Sequence, residues 1–174
     1  MPDAAVIASI RGTAAVLGDH VSADVVLPAR HSFLNPEQMA ENVLMDHSPE
    51  ANRKVRAHSI IVAGEAFGYG TGRESPSRAL RAAGVRAVIA KSFSRLFFRN
   101  AINNGIAVVQ CPELARMPVQ DGDEIVIVLA EGRVQWKDQS LRIAPVTDVV
   151  AKIVAAGSLI NYGRQLLSSG ATPS

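Results

Sequence analysis

Between His58 and Gln110 the sequence alternates short apolar runs with amphipathic stretches: HSIIVAG, SPSRALRAAG, RAVIA, SFSRLFFRNAINNG and IAVVQ. No other feature restricts the fold as much. Buried strands separated by helices return to the same edge of a sheet, which favours parallel pairing with right-handed crossovers. The first helix is expected to be capped by Ser75, with Pro76 in its first turn and Gly84 at its end. The second sets Phe93, Leu96, Phe97 and Ile102 on a helical spacing and ends at Gly105, with Asn100, Asn103 and Asn104 capping and turning the chain. Arg95 and Arg99 share one face of it, turned to water or to a partner chain. The expected class is α/β.

The flanks read differently. Upstream, Ala4 to Ile10 is expected as a strand, and VSADVVLPAR (Val21 to Arg30) as a short strand closed by Pro28. NPEQMAENVLM has the marks of a helix start: Asn35 as cap, Pro36 at the first position and Glu37 at the positive end of the dipole, with Met39, Val43 and Leu44 as the apolar stripe. DHSPEANRKVRA is polar and carries a proline, so a surface connection is expected. Downstream, DEIVIVLAEGRVQW reads as an antiparallel hairpin turning at Glu131-Gly132, and QSLRIAP as a further strand. VTDVVAKIVAAG and SLINYGRQLL read as two helices, the first ended by Gly157. At 174 residues the chain is the size of one domain, here taken as 1–167 with a mobile tail over 168–174.

Composition narrows the function. A net charge of +2 comes without any run of Lys or Arg, which argues against a nucleic-acid partner and suits small anions. No apolar run approaches the roughly 18 residues of a membrane span, and the N-terminus lacks a basic, cleavable leader; a soluble cytoplasmic protein is expected. Cys111 is the only cysteine, so neither an internal disulfide nor a metal cluster held by several thiolates is available to this chain. A half-buried structural thiol is its expected role.

The chemistry centres on GEAFGYGTGRESP, residues 64–76, between a strand and a helix, where backbone N–H groups and a helix dipole commonly meet an anion. Gly68, Gly70 and Gly72 run G-x-G-x-G, out of phase with the dinucleotide fingerprint G-x-G-x-x-G, and no Lys-Ser/Thr pair follows as in a nucleotide P-loop. Nucleotide sites are disfavoured. The loop offers instead the hydroxyl of Thr71 and the planar fork of Arg73, which suits a carboxylate. A tight turn whose arginine pairs with Glu74 or Glu65 fits the same spacing, so both readings stay open.

GEAFGYGTGRE, followed by AGVRAVIAKSFSRLFFRNAINNG, resembles the small swivelling domain of the aconitase superfamily, as in the small subunits of isopropylmalate isomerase and homoaconitase. The family pattern is G-x-N-F-G-x-G-S-S-R-E, then A-V-I-A-x-S-F-A-R-I-F-x-R-N-A-I-N-x-G. VSADVVLPAR is similar to its D-T-D-x-I-x-P-A-R, and IVAAGSLINYGRQ to its closing helix pair, so the resemblance spans most of residues 5–166. It implies a β/β/α fold, a parallel sheet flanked by helices with a second antiparallel β layer. It implies a hydro-lyase/isomerase of the isopropylmalate dehydratase type in leucine biosynthesis, acting on a small hydroxy-dicarboxylic acid. A large partner subunit would carry a [4Fe-4S] cluster, and no metal would be bound by this chain. Thr71 stands where the family has its catalytic serine, Gly72 where it has a second serine, and Arg73 where it has the carboxylate-binding arginine.

Gly70, Gly72, Arg30, His31, Ser32 and Phe33 are implied at the substrate, with His31 to Leu34 as the loop that reads its side group. No arginine lies in that loop, which argues against a second carboxylate there. Ser22 and Ala23 depart from the family's acidic residue and threonine, while Asp24 is retained. The resemblance leaves open a paralogue acting on dimethylmalate, citramalate or a homoaconitate-like acid, and a non-catalytic anion-binding or assembly module that kept the fold.

Overall fold

The computed structural model describes residues 9–170. Its sheet has the order β4-β3-β2-β1-β5-β6-β7, with β1 Ser9–Val16, β2 Ile60–Val62, β3 Ala87–Ala90, β4 Ala107–Gln110, β5 Glu124–Val128, β6 Arg133–Trp136 and β7 Gln139–Arg142. The alternation around residues 58–110 produces the parallel ladder β1-β2-β3-β4. β1 joins two systems: Ala14 to Val16 pair parallel with β2, while Ser9 to Thr13 pair antiparallel with β5. β5, β6 and β7 continue as an antiparallel meander, including the expected hairpin.

Side-chain alternation along the parallel strands sorts their residues between two layers. Ile61, Val88, Ala90 and Val108 pack with Val26, Leu27, Met39, Val55, Leu80 and Phe97 of the helical side. Ile60, Val62, Ile89 and Val109 pack with Ile125, Ile127, Val134 and Trp136 of the antiparallel strands. Both faces are covered, which is why β2 and β3 are apolar at every position and wholly buried. This is the expected β/β/α arrangement. Trp136 is fixed by its Nε1–H donating to Asp123 Oδ2 at 2.9 Å.

The helices follow from local signals, and several differ from expectation. Val21 to Arg30 is not a strand. Ser22 accepts the Val25 N–H and starts the single turn α1 Ala23–Val26, and a 3-10 turn follows at Ala29–His31. The β-branched Val25-Val26 pair suggests a strand, but a capping serine, Asp24 in the first turn and full burial of Val26 outweigh that propensity. α2 Pro36–Asn42 starts as expected, with a reciprocal Asn35–Gln38 capping box.

The presumed surface connection is helix α3 Pro49–Ala57, capped by Ser48 and buried through Ala51, Asn52 and Val55. Its polarity is deceptive, because the buried Asn52 Nδ2 donates to the Val43 carbonyl at 2.7 Å and the Glu41 carbonyl at 3.1 Å. α4 spans Ser75–Ala82, and Ser75 lies inside it: the cap position is Glu74, without a side-chain bond. In α5 Arg95–Asn103, Ser94 caps, and Phe97 and Ala101 face the core while Leu96 is 51% exposed. Leu96 therefore does not belong to the apolar stripe assigned to it.

α6 Pro112–Arg116 begins after Cys111, which is fully rather than half buried, and burial pushes its thiol pKa up, as befits a structural thiol. α7 Asp148–Ala156 ends at Gly157 as expected. α8 Leu159–Ser169 runs through Ser168 and Ser169, which the sequence reading puts in the tail. The last tail residues, 171–174, and Ala4 to Ala8 of the first expected strand lie outside the described residues, whereas β1 extends that strand to Val16.

Candidate functional site

The connection from β2 to α4 crosses the ends of the parallel strands, where open α/β sheets generally bind ligands. Its first half is built into the fold. Asp19 Oδ1 accepts the Glu65 N–H at 2.8 Å, and this bond holds the Asp19 carboxyl below its ordinary pKa against the opposing cost of burial, with a lesser pull from Lys91. The Ala66 N–H donates to Ser92 Oγ and the Phe67 N–H to the Ser92 carbonyl, at 2.8 and 3.0 Å. Phe67 is fully buried against Phe93 and Phe97, with centroids at 6.2 and 5.1 Å. The Gly68 N–H donates to the Val21 carbonyl, and the Ala23 N–H to the Tyr69 carbonyl, both at 2.8 Å. Gly68 has φ +76° and a Cβ there would overlap the Phe97 ring, so this position excludes any side chain.

The second half carries the functional groups. Thr71 Oγ1 accepts from the Arg73 backbone N–H at 3.3 Å and from Arg73 Nε at 3.1 Å. Arg73 Nη1 donates to Ser32 Oγ at 2.7 Å, and Nη2 to Asp24 Oδ1. Ser32 Oγ lies 3.0 Å from Ser75 Oγ. Arg73 thus pairs with Asp24, not with Glu65 or Glu74; the Glu74 carboxylate instead accepts from Asn104 Nδ2 at 3.0 Å. Gly70 has φ +101°, and a Cβ on it would come within 3.0 Å of Asp24 Oδ2.

This arrangement has definite chemical capacity. An oxygen that accepts two N–H bonds, one of them from a guanidinium, is a place where an alkoxide is stabilised. Each guanidinium nitrogen donates once, which leaves one N–H on each Nη for a ligand. The Arg73 side chain is 29% exposed, so those donors are reachable. Phe33, Tyr69 and Leu96 are exposed at 100, 45 and 51%, and each adjoins a site residue: Ser32, Gly70 and Gly72 respectively. An open half-site rimmed by exposed apolar side chains is the surface a second chain would cover.

The structure therefore brings Thr71, Arg73, Ser32, Gly70 and Gly72 together. It ties Arg30 to Asp46 through Nη2 at 2.6 Å, and it leaves Phe33 fully exposed beside the site. His31 closes the 3-10 turn immediately before Ser32. Two contributors were not assigned to the site from sequence: Asp24, which anchors Arg73, and Asn100, whose Nδ2 donates to the carbonyls of Gly72 and Arg73 at 3.0 and 3.2 Å.

The chain is similar to known proteins over nearly its whole length. The Aconitase C-terminal domain family matches residues 34–114, which include the loop. The 3-isopropylmalate dehydratase small subunit of Methanosarcina acetivorans is 41% identical over 162 residues, covering 91% of this chain and 99% of that one. Small subunit 1 of the same enzyme from Methanopyrus kandleri is 40% identical over 154 residues, covering 87% and 90%. The crystal structure of 3-isopropylmalate dehydratase from Methanocaldococcus jannaschii superposes with a TM-score of 0.79 at 33% identity, covering 93% of this chain and 98% of that one.

Proposed function

The chain belongs to the family of 3-isopropylmalate dehydratase small subunits, within the aconitase superfamily, and from that premise we propose that it supplies the base and a carboxylate clamp for an alkyl-substituted malate. Membership makes it one part of a hydro-lyase that works with a large subunit. The observation that carries the finer reading is the Thr71–Arg73 pair, with a hydroxyl oxygen holding two N–H donors beside a partly exposed guanidinium. A [4Fe-4S] cluster, the Lewis acid that the family resemblance implies, needs several thiolates. This chain has one cysteine, fully buried, so its residues do not fit the cluster and the large subunit would hold it.

On this reading the free Nη donors of Arg73 orient a substrate carboxylate, and Asp24 and Ser32 keep the guanidinium in plane. Thr71 Oγ1, as alkoxide, takes the proton from the carbon next to the one bearing the hydroxyl. The C–H electron pair becomes the double bond, and the hydroxyl leaves on the side covered by the large subunit. Rehydration reverses these steps with the hydroxyl on the neighbouring carbon, and Thr71 returns the proton. The threonine methyl restricts the hydroxyl to fewer rotamers than serine, and the bond from Arg73 Nε selects among them.

His31, Ser32 and Phe33 face the substrate's side group, and the apolar Phe33 fits an alkyl substituent better than a carboxylate. The test is to reconstitute the chain with its large subunit and follow the absorbance of the unsaturated intermediate. Isopropylmalate is expected to give the highest kcat/KM, above citramalate and dimethylmalate. Malate binding by the chain alone, with no turnover in the cluster-loaded pair, would contradict the reading and favour a non-catalytic anion-binding module.

A further inference from the structure

Thr71 and Arg73 sit in the part of the loop least supported by the backbone. Among the described residues no backbone–backbone hydrogen bond involves positions 70–73, and the stretch contains Gly70 and Gly72, the residues that lose most conformational freedom on ordering. The Arg73 side chain reaches Asp24 and Ser32, but a long, rotatable side chain does not fix the main chain behind it. The backbone carbonyls of Gly72 and Arg73 accept from one donor, the Nδ2 of Asn100, at 3.0 and 3.2 Å. That amide has two hydrogens, one for each carbonyl.

Asn100 is well placed for this. It lies on α5, which Phe97 and Ala101 pin to the core. One turn later Asn104 Nδ2 donates both to the Asn100 carbonyl, at 2.9 Å, and to Glu74 Oε1, at 3.0 Å. Two side-chain amides four residues apart, one on α5 and one at its C-cap, therefore hold residues 72–74 at three acceptors. Of the Asn100 contacts, the one to Gly72 is exposed and the one to Arg73 part-buried, so water can replace at least the first at small cost to folding. A small displacement of a base or clamp, by contrast, costs a large factor in rate.

We propose that Asn100 is a positioning residue of the reaction: its amide clamps the two peptide carbonyls on either side of Arg73 and so sets the Thr71 hydroxyl and the Arg73 fork relative to each other. The proposal rests on the functional reading of Thr71 and Arg73 given above. The side chain acts through those two residues and touches no substrate.

The experiment compares Asn100→Ala and Asn100→Asp with the unaltered chain, each reconstituted with the large subunit, and uses isopropylmalate as substrate. Asp keeps the size of Asn but has no N–H to give, so it separates donation from space-filling. Both variants are expected to lose about 10- to 100-fold in kcat, with KM raised less than fivefold and with thermal midpoint and pairing unchanged. In the isolated 15N-labelled chains, the backbone order parameters of residues 70–73 are expected to fall below about 0.6 while those of 64–69 stay near 0.85. Adding Asn100→Ala to Thr71→Ala should lower kcat by clearly less than the product of the two single losses. A kcat within twofold of the unaltered chain, unchanged order parameters, full activity of Asn100→Asp, or a loss explained by a lowered thermal midpoint would each overturn the proposal. If Thr71→Ala were fully active, the functional reading would fail by itself, and the order parameters would still show whether Asn100 holds the loop.

Discussion

The two halves of one loop are held in different ways. Residues 64–69 are tied by main-chain bonds to Val21, Ala23 and Ser92 and by a buried phenylalanine, so their geometry belongs to the core. Residues 70–73 are held by side chains: Thr71 and Arg73 on each other, Arg73 on Asp24 and Ser32, and the main-chain carbonyls of Gly72 and Arg73 on Asn100, while Asn104 holds the Glu74 carboxylate next to them. Damage to the first half should appear as lost stability, and damage to the second as lost function in a stable chain.

Substitutions can break this comparison. Arg73→Ala removes the free donors and the Nε bond to Thr71 together, so kcat/KM should fall by about 10³-fold, or ~4 kcal/mol, with the thermal midpoint nearly unchanged. Arg73→Lys keeps the charge without the fork and should recover only a small part. Gly68→Ala should do the opposite. The left-handed φ and the overlap with Phe97 predict a loss of about 2–3 kcal/mol, a drop of roughly 5–10 °C, while the folded fraction keeps its KM. A large change in KM at unchanged thermal midpoint would contradict the division.

Asp19 gives the smallest effect. Its pKa is lowered in the folded chain, first by the Glu65 N–H, so its contribution is present above the ordinary aspartate value of about 3.9 and is lost as pH falls below it. Asp19→Asn should lower the thermal midpoint slightly near neutrality and flatten its fall below about pH 4, so that the two chains converge in acid. A changed midpoint at neutral pH with an unaltered acid limb would refute the assignment.

Much of this was legible from sequence because the parallel block is apolar on both faces, and its strand lengths and helix boundaries follow from local pattern. The failures share a physical cause. α1 is one turn stabilised by a cap and by the burial of Val26, which its β-branched residues disguise. α3 reads as polar because its charged residues Glu50, Arg53, Lys54 and Arg56 lie off the buried face and one of its three buried positions is an asparagine serving the carbonyls that end α2, although Ser48, Pro49 and Glu50 were a readable start signal. Thr71 and Arg73 could be singled out from the loop itself. Asp24 and Asn100 could not, because their partners lie 49 and 27–28 positions away, and a surface asparagine near a helix end looks like a turn residue.

Proton removal by Thr71 is the central claim, and substrate deuterated at the carbon that loses its proton tests it most directly. With the reconstituted pair, washout of that deuterium into water is expected to persist in Thr71→Ser within about tenfold and to fall by about 10²-fold or more in Thr71→Ala, at equal cluster content and pairing. Washout by Thr71→Ala at the rate of the unaltered chain would contradict the account and move the base to another residue.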